Sequence, residues 1–292
     1  SFRRVGVMCF REWASTDDLK AYVKYLAKQP SDSLESWAWR RAYREPDFYN
    51  DIIGTRLLAQ ARFADAVPFL EKVSVAFLNN QNIAPYAAQR RYAKERWMGK
   101  KAVAQPEYLT EDQRAVLPKL QENKKLSYCR DMLNLLSQYS LMKPSEERMR
   151  KAYELASMWY QGSWEGDCWW LTQYGVSVMQ DSVMAGTADF VAKAMSLLDE
   201  SAQSTDFKLK EKSLYALAFI RHGEPWFFEG WDDATQQYYD ISNLKPLPQS
   251  RQYKALAALS SFCSDNAGKT DLFVSRCDVL RRFRDACRIQ RR

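Results

Sequence analysis

Two stretches concentrate residues able to do chemistry. QGSWEGDCWW, residues 161–170, sets three tryptophans among two acids, two glycines and a cysteine. HGEPWFFEGWDD, residues 222–233, combines Trp226, Phe227, Phe228 and Trp231 with Glu224, Glu229, Asp232 and Asp233. Aromatic faces stack on pyranose rings, and paired carboxylates serve as general acid and base. Trp164, Trp226, Trp231 and the nearby acids therefore define one functional alternative, a carbohydrate-binding or carbohydrate-active helical protein. The same side chains suit an amphipathic bend, with the aromatics buried on neighbouring helices and Asp232 and Asp233 favouring a helix N-terminus.

Cys168 reads as structural. A nucleophilic cysteine needs a neighbouring base to form thiolate, and the single histidine, His222, is far away in sequence. No G-x-S-x-G elbow supports a serine triad. AGKT at 267–270 matches the end of a phosphate-binding loop, but its first glycine position holds Cys263, and a predicted helix precedes it. Paired Cys-x-x-Cys or His-x-x-x-His spacing is missing, so no metal site is expected. No catalytic residue, metal or cofactor is assigned, and the chain is read as non-enzymatic.

The elements that position these residues read as helices. Ser15 and Asp18 form a capping pattern ahead of Leu19, Tyr22, Val23 and Leu26, which fall on one predicted buried stripe. Pro30 ends that helix, a second starts at Ser33, and Pro46 is read as closing it. Further helices are predicted near 84–99, 122–139, 145–161, 166–175, 187–202, 206–221, 231–242, 249–263 and 270–289. Gly162 is expected in a left-handed turn, with Gly166 or Asp167 starting the next helix. Trp169 and Trp170 point roughly 100° apart on that helix, which leaves room for one to miss the core. Packing between repeats is the favoured reading over a ligand platform, and Trp164 in the turn is expected at the surface. The one extended piece is expected at VSVAFL, 73–78. Residues 99–121, with two prolines and many charges, read as a connecting segment between N-terminal helical repeats over 1–98 and C-terminal repeats over 122–292.

Composition sets outer bounds. Nearly half of the 292 residues are apolar, while glycine and proline number only ten each, which argues against disorder and against a turn-rich all-β chain. Lys or Arg interrupts every hydrophobic run, so no transmembrane segment is expected. The chain begins SFRRVGVMCF, without an initiator Met or a signal-peptide pattern, and reads as a mature form or an excised piece. The net charge is +7, but residues 281–292 hold six arginines against Asp285 and supply +5 of it. A nucleic-acid partner is therefore not expected. Cys277 and Cys287 lie on one predicted helix ~15 Å apart, too far to pair.

Paired helices of this length invite a search for repeats. In FYNDIIGTRLLAQARFADAVPFLEKV, residues 48–73, Ile53, Gly54 and Leu57 precede Ala66 and Leu70 at the spacing of the L-G-x-x-Y and A-x-x-x-F positions of a tetratricopeptide repeat. Small Gly54 and Ala66 let two helices approach, while Leu57, Phe63 and Leu70 fill the space around the contact. The segment resembles that repeat, departing at Asn50 and lacking the closing proline. Leu155, Ala156, Trp159 and Cys168 match more loosely, as do Leu217, Ala218 and Ala234, and the segments 251–262 and 271–283 make a final pair.

The resemblance implies an all-α fold, a right-handed α-solenoid of antiparallel helix hairpins with a concave surface. It implies a protein or peptide partner and a scaffold or adaptor role. Arg56, Gln60, Trp159 and Tyr215, on the first helix of each hairpin, are the candidate binding residues. Similar aromatic-rich, degenerate repeat proteins place the chain in the bacterial cell envelope, periplasm or surface, ahead of the cytoplasm.

Overall fold

Local capping chemistry starts several helices of the computed structural model. It describes residues 10–11, 14–93, 97, 110, 112–113, 116–173, 187–271, 274 and 277–289. Helix α1 (Thr16–Leu26) opens with the expected capping box, in which the Ser15 hydroxyl accepts from the Asp18 N–H while the Asp18 carboxylate accepts from the Ser15 N–H. Asp32 caps α2 (Ser33–Arg41) by accepting from the Glu35 N–H. Pro46 opens α3 (Pro46–Ala59) at its first turn, where its missing N–H costs nothing, so it begins a helix and does not close one. Ser74 likewise caps α5 (Val75–Asn79), which overturns the extended reading of 73–78.

Helix α3 and α4 (Phe63–Leu70) fold back on each other through a tight turn. Ala61 sits in the left-handed region at φ 59°. The N–H groups of Ala61 and Arg62 donate to the carbonyls of Leu58 and Leu57, both at 2.8 Å. This is the hydrogen-bond pattern of a Schellman cap, which satisfies the terminal carbonyls and reverses the chain. Gly54 faces Leu70 across the hairpin. A Cβ built on Gly54 would lie 2.6 Å from Leu70 Cδ2 and 2.7 Å from its Cγ, so only glycine allows this approach. Ala66 and Leu70 are fully buried. The close contact expected from the repeat spacing is therefore present in the hairpin.

The chain is mostly helical, as the sequence predicts, and continues through α6 (Ala84–Ala88), α7 (Lys124–Leu141), α8 (Glu146–Gly162), α9 (Phe190–Ser201), α10 (Phe207–Phe219), α11 (Arg251–Asp265) and α12 (Asp278–Ile289). The exception is between α10 and α11. There β1 (Phe227–Phe228) pairs with β4 (Lys245–Pro246), and β2 (Gly230–Asp232) pairs with β3 (Gln237–Tyr239), both antiparallel. The helix expected at 231–242 is thus a β-hairpin. Asp232 directs its turn, accepting from the Ala234 N–H at 3.1 Å and the Thr235 hydroxyl at 3.0 Å, an Asx arrangement that competes with helix. Gly162 is helical and ends α8, and the helix expected at 166–175 is a single 3₁₀ turn, Trp169–Leu171. Residues 174–186 lie outside the described residues.

The residues fall into two compact units. One takes 1–94, 100–138 and 161–189, so it holds α1 to α6, most of α7 and the turn after α8. Its core includes Leu19, Ile52, Leu57, Leu58, Tyr128, Met132 and Trp169, all nearly inaccessible. Val23, expected in the buried stripe of α1, is exposed. A buried ion pair crosses this core: Lys125 Nζ of α7 donates to Asp51 Oδ1 at 2.9 Å and to Thr55 Oγ1 at 2.7 Å, both on α3. Gln81 donates to the other carboxylate oxygen at 3.1 Å.

The second unit takes 95–99, 139–160 and 190–292. Its core gathers Trp226, Leu256, Leu259, Leu280 and Phe283. Glu146, at the start of α8, accepts from the Thr205 N–H at 2.8 Å and its hydroxyl at 2.7 Å, and from the Ser204 hydroxyl. These bonds, that of Ser204 foremost, hold the carboxyl down at about 2, below its ordinary 4.5. A depressed carboxyl contributes stability that is present above its unfolded value and lost as pH falls through the folded one. Acid titration of the unfolding midpoint should therefore steepen between pH 4.5 and about 2, and E146Q should flatten that segment. An identical profile for both proteins would refute the assignment.

Candidate functional site

The turn after α8 is a buried clamp. Asp167 accepts from the Tyr86 hydroxyl at its Oδ1 (2.9 Å) and its carbonyl (3.1 Å), and its Oδ2 lies 3.3 Å from Arg90 Nε. The Arg90 guanidinium in turn sits 4.3 Å from the centre of the Tyr86 ring. Lys124 completes the corner by donating to the carbonyls of Ala87, Ala88 and Arg90 at 2.8, 2.9 and 2.8 Å, satisfying the end of α6. Burial lowers the Lys124 pKa, as expected for an ammonium held mostly by carbonyls.

Cys168 lies inside this clamp, fully buried, with its backbone N–H bonded to the Gln161 carbonyl at 3.0 Å. Burial first, and the Asp167 charge second, push its thiol up to about 12, so thiolate is not formed at neutral pH. Both Trp169 and Trp170 are buried, in line with the favoured reading that they pack. The 3₁₀ turn tightens the chain enough to bring both indoles inward, and the Trp170 indole N–H meets no acceptor among the described residues. Trp164 is exposed, as expected. Thiol labelling at about pH 8 should modify half-buried Cys277 and Cys287 and spare Cys168 until the protein is unfolded. Modification of native Cys168 at the rate of an exposed thiol would overturn this reading.

The other sequence candidates are placed as follows. Arg56 is buried and donates to the carbonyls of Phe10 at 2.9 Å and Arg11 at 2.8 Å, a structural clamp. Gln60 is the half-exposed C-cap of α3. Trp159 is buried edge-on against Phe190, 4.6 Å between ring centres, with Lys193 Nζ 5.2 Å from its own. Tyr215 stacks on Phe219 at 4.5 Å, and burial pushes its hydroxyl up to about 12. Trp226 sits in the second core between Phe227 and Phe283. Arg56, Gln60 and Trp164 belong to the first unit; Trp159, Tyr215, Trp226 and Trp231 belong to the second.

Trp231 is different. It pairs across the hairpin with Tyr238, and both side chains are more than half exposed, at 55% and 54%. Directly opposed residues share one face of a strand pair, so the two rings form an outward platform. On the other face, Asp232 is tied to Lys245, whose Nζ lies 5.8 Å from the Phe228 ring and 5.4 Å from that of Tyr239. The Lys245 bond holds the Asp232 carboxyl below its ordinary value, the wrong direction for a general acid.

A second exposed aromatic, missed from sequence, is Trp37 on α2. It accompanies Leu34, and neither makes core contact although α2 is well capped. A small cleft of about 150 Å³, lined by Asn79, Asn80, Asn82 and Lys119 among others, is below the usual size of a ligand pocket. Its Asn79 amide is occupied with the main chain of Leu120, donating at 2.9 Å and accepting at 2.8 Å. Among the described residues no cluster of His, Cys, Asp or Glu is placed to hold a metal, and no helix is long and apolar enough to cross a membrane. Arg281 and Arg288 of the basic C-terminal helix pair with Asp278 and Asp285, while Arg291 and Arg292 lie outside the described residues. Compared with known proteins, the chain matches no family model, no curated protein and no solved structure.

Proposed function

We propose that the chain is a non-enzymatic protein-binding scaffold built from tetratricopeptide-like helix hairpins stacked as a right-handed α-solenoid. The observation that carries this reading is that large apolar side chains are held outward on ordered elements, Leu34 and Trp37 foremost. Contiguous apolar surface on a folded chain marks a place where another molecule docks. The Gly54–Leu70 hairpin supports the repeat architecture, and the buried Cys168, Arg56 and Asp167 serve internal roles. The test is affinity capture from the native source, with quantitative mass spectrometry comparing wild type with a W37A W231A double variant. A protein partner enriched by wild type and lost with the variant is the expected result; no enrichment above a tag-only control would end the proposal.

A second reading, carbohydrate binding, is favoured by one feature, the Trp231–Tyr238 platform with exposed Glu229 and Asp233 nearby. Sugar rings stack on such surfaces without needing a deep pocket. Titration with oligosaccharides should then quench tryptophan fluorescence saturably in wild type and not in W231A. A flat titration in both removes this alternative.

A further inference from the structure

We infer that α2 is a docking helix for an acidic, apolar peptide segment of a partner protein, an inference that rests on the scaffold reading and names its partner chemistry. Leu34, Trp37, Ala38 and Arg41 fall at i, i+3, i+4 and i+7, the spacing of a stripe that normally faces a core. Here that stripe faces solvent: Leu34 is 73% exposed and Trp37 51%, while Trp39 on the opposite side donates its indole N–H to the Leu26 carbonyl at 3.1 Å. The helix contains no buried residue. Its half-buried positions are Glu35, Ser36 and Trp39, while Leu34, Trp37 and Ala38 are exposed.

The charges around the stripe point to an anion. Arg40, Arg41 and Arg44 are exposed, and none is in an ion pair among the described residues. Two acids of the same segment make local hydrogen bonds: Asp32 caps the Glu35 N–H, and Glu35 accepts from both the N–H and the hydroxyl of Ser31 at 2.7 Å. Arg41 lies 4.4 Å from the centre of the Trp37 ring and Arg44 3.4 Å from that of Trp39. Arg41 Nη1 lies 3.5 Å from the Trp37 carbonyl, which leaves its other N–H groups for a carboxylate, whereas Arg44 donates to the Trp39 carbonyl on the anchored side of the helix. Arg40 and Arg41, exposed beside Leu34 and Trp37, match carboxylates interspersed with Leu or Phe. A nucleic-acid backbone offers Leu34 nothing to bury.

The test uses the full chain and a short fluorescein-labelled peptide alternating Glu with Leu, with Lys-for-Glu and Ser-for-Leu counterparts, read by fluorescence anisotropy. The Glu–Leu peptide should bind saturably and weaken with added salt, and both counterparts should bind about tenfold or more weakly. W37A and R40E R41E should each cost about tenfold or more, while R282E, an exposed arginine elsewhere, should change little. These side chains are exposed, so circular dichroism and thermal melting should be unaltered. Equal binding of all three peptides, insensitivity to W37A and R40E R41E, or failure of the peptide alongside Trp37-dependent binding to phosphatidylglycerol vesicles would each overturn the inference. A cellular partner captured equally by wild type and W37A R41E would remove α2 from the interface while leaving the scaffold reading intact.

Discussion

Replacing Lys125 by alanine is expected to destabilise the first unit by about 3–5 kcal/mol, the usual cost of removing one partner of a buried ion pair. Lys125 and Asp51 are 6% and 1% exposed, and their 2.9 Å contact joins α7 to α3 across the core. With the ammonium gone, the Asp51 carboxylate keeps its bonds to the Gln81 amide and the Thr55 hydroxyl, but neither supplies charge. The anion then stays buried without the Lys125 charge that offset its desolvation. The double variant D51L K125M removes both charges and should lose far less than K125A, because apolar replacement of a whole buried pair is often neutral. Chemical denaturation of the three proteins measures both effects. Coincident midpoints for wild type and K125A would refute the account, and the double variant keeps the test open where K125A fails to fold.

That ion pair also marks the limit of what the residues disclose in one dimension. Asp51 and Lys125 lie 74 residues apart, so their pairing is a tertiary fact with no local signature. Periodicity did disclose the helices themselves, because capping at Ser15 and Asp32 acts within one turn. It misassigned 231–242 because Trp, Asp and Tyr there carry no strong period, while the Asx turn at Asp232 and the aromatic Gln-Tyr-Tyr run favour strands. The exposure of Leu34 and Trp37 inverts the rule that a stripe at helical spacing faces inward, and sequence reasoning therefore passed over them. The available signal was the arginines Arg40, Arg41 and Arg44 that follow Trp37. Trp159, Trp226 and Arg56 drew attention as large or charged side chains, yet packing absorbed all three. In an aromatic-rich helical chain, burial takes most tryptophans first.

Gly54 is the position where sequence spacing and packing agree most directly, and G54A should destabilise by about 1–3 kcal/mol through overpacking. Alanine is favoured over glycine within a helix by ~1 kcal/mol, so the substitution would stabilise α3 if space were free. Space is not free, since the added methyl would lie 2.6 Å from Leu70 Cδ2 and 2.7 Å from Cγ. Leu70 is fully buried and cannot swing into solvent, so the hairpin itself must open. The two effects separate in a double-mutant cycle with Leu70→Ala. L70A alone should cost ~2–5 kcal/mol by leaving a cavity. In that background the G54A methyl enters vacated volume, and its effect should reverse sign, restoring up to ~1 kcal/mol as helix preference and cavity filling act together. Urea denaturation of the four proteins reads the cycle. Additive losses would mean that Gly54 is not held by Leu70, and the close helix crossing that motivates the repeat assignment would lose its physical basis.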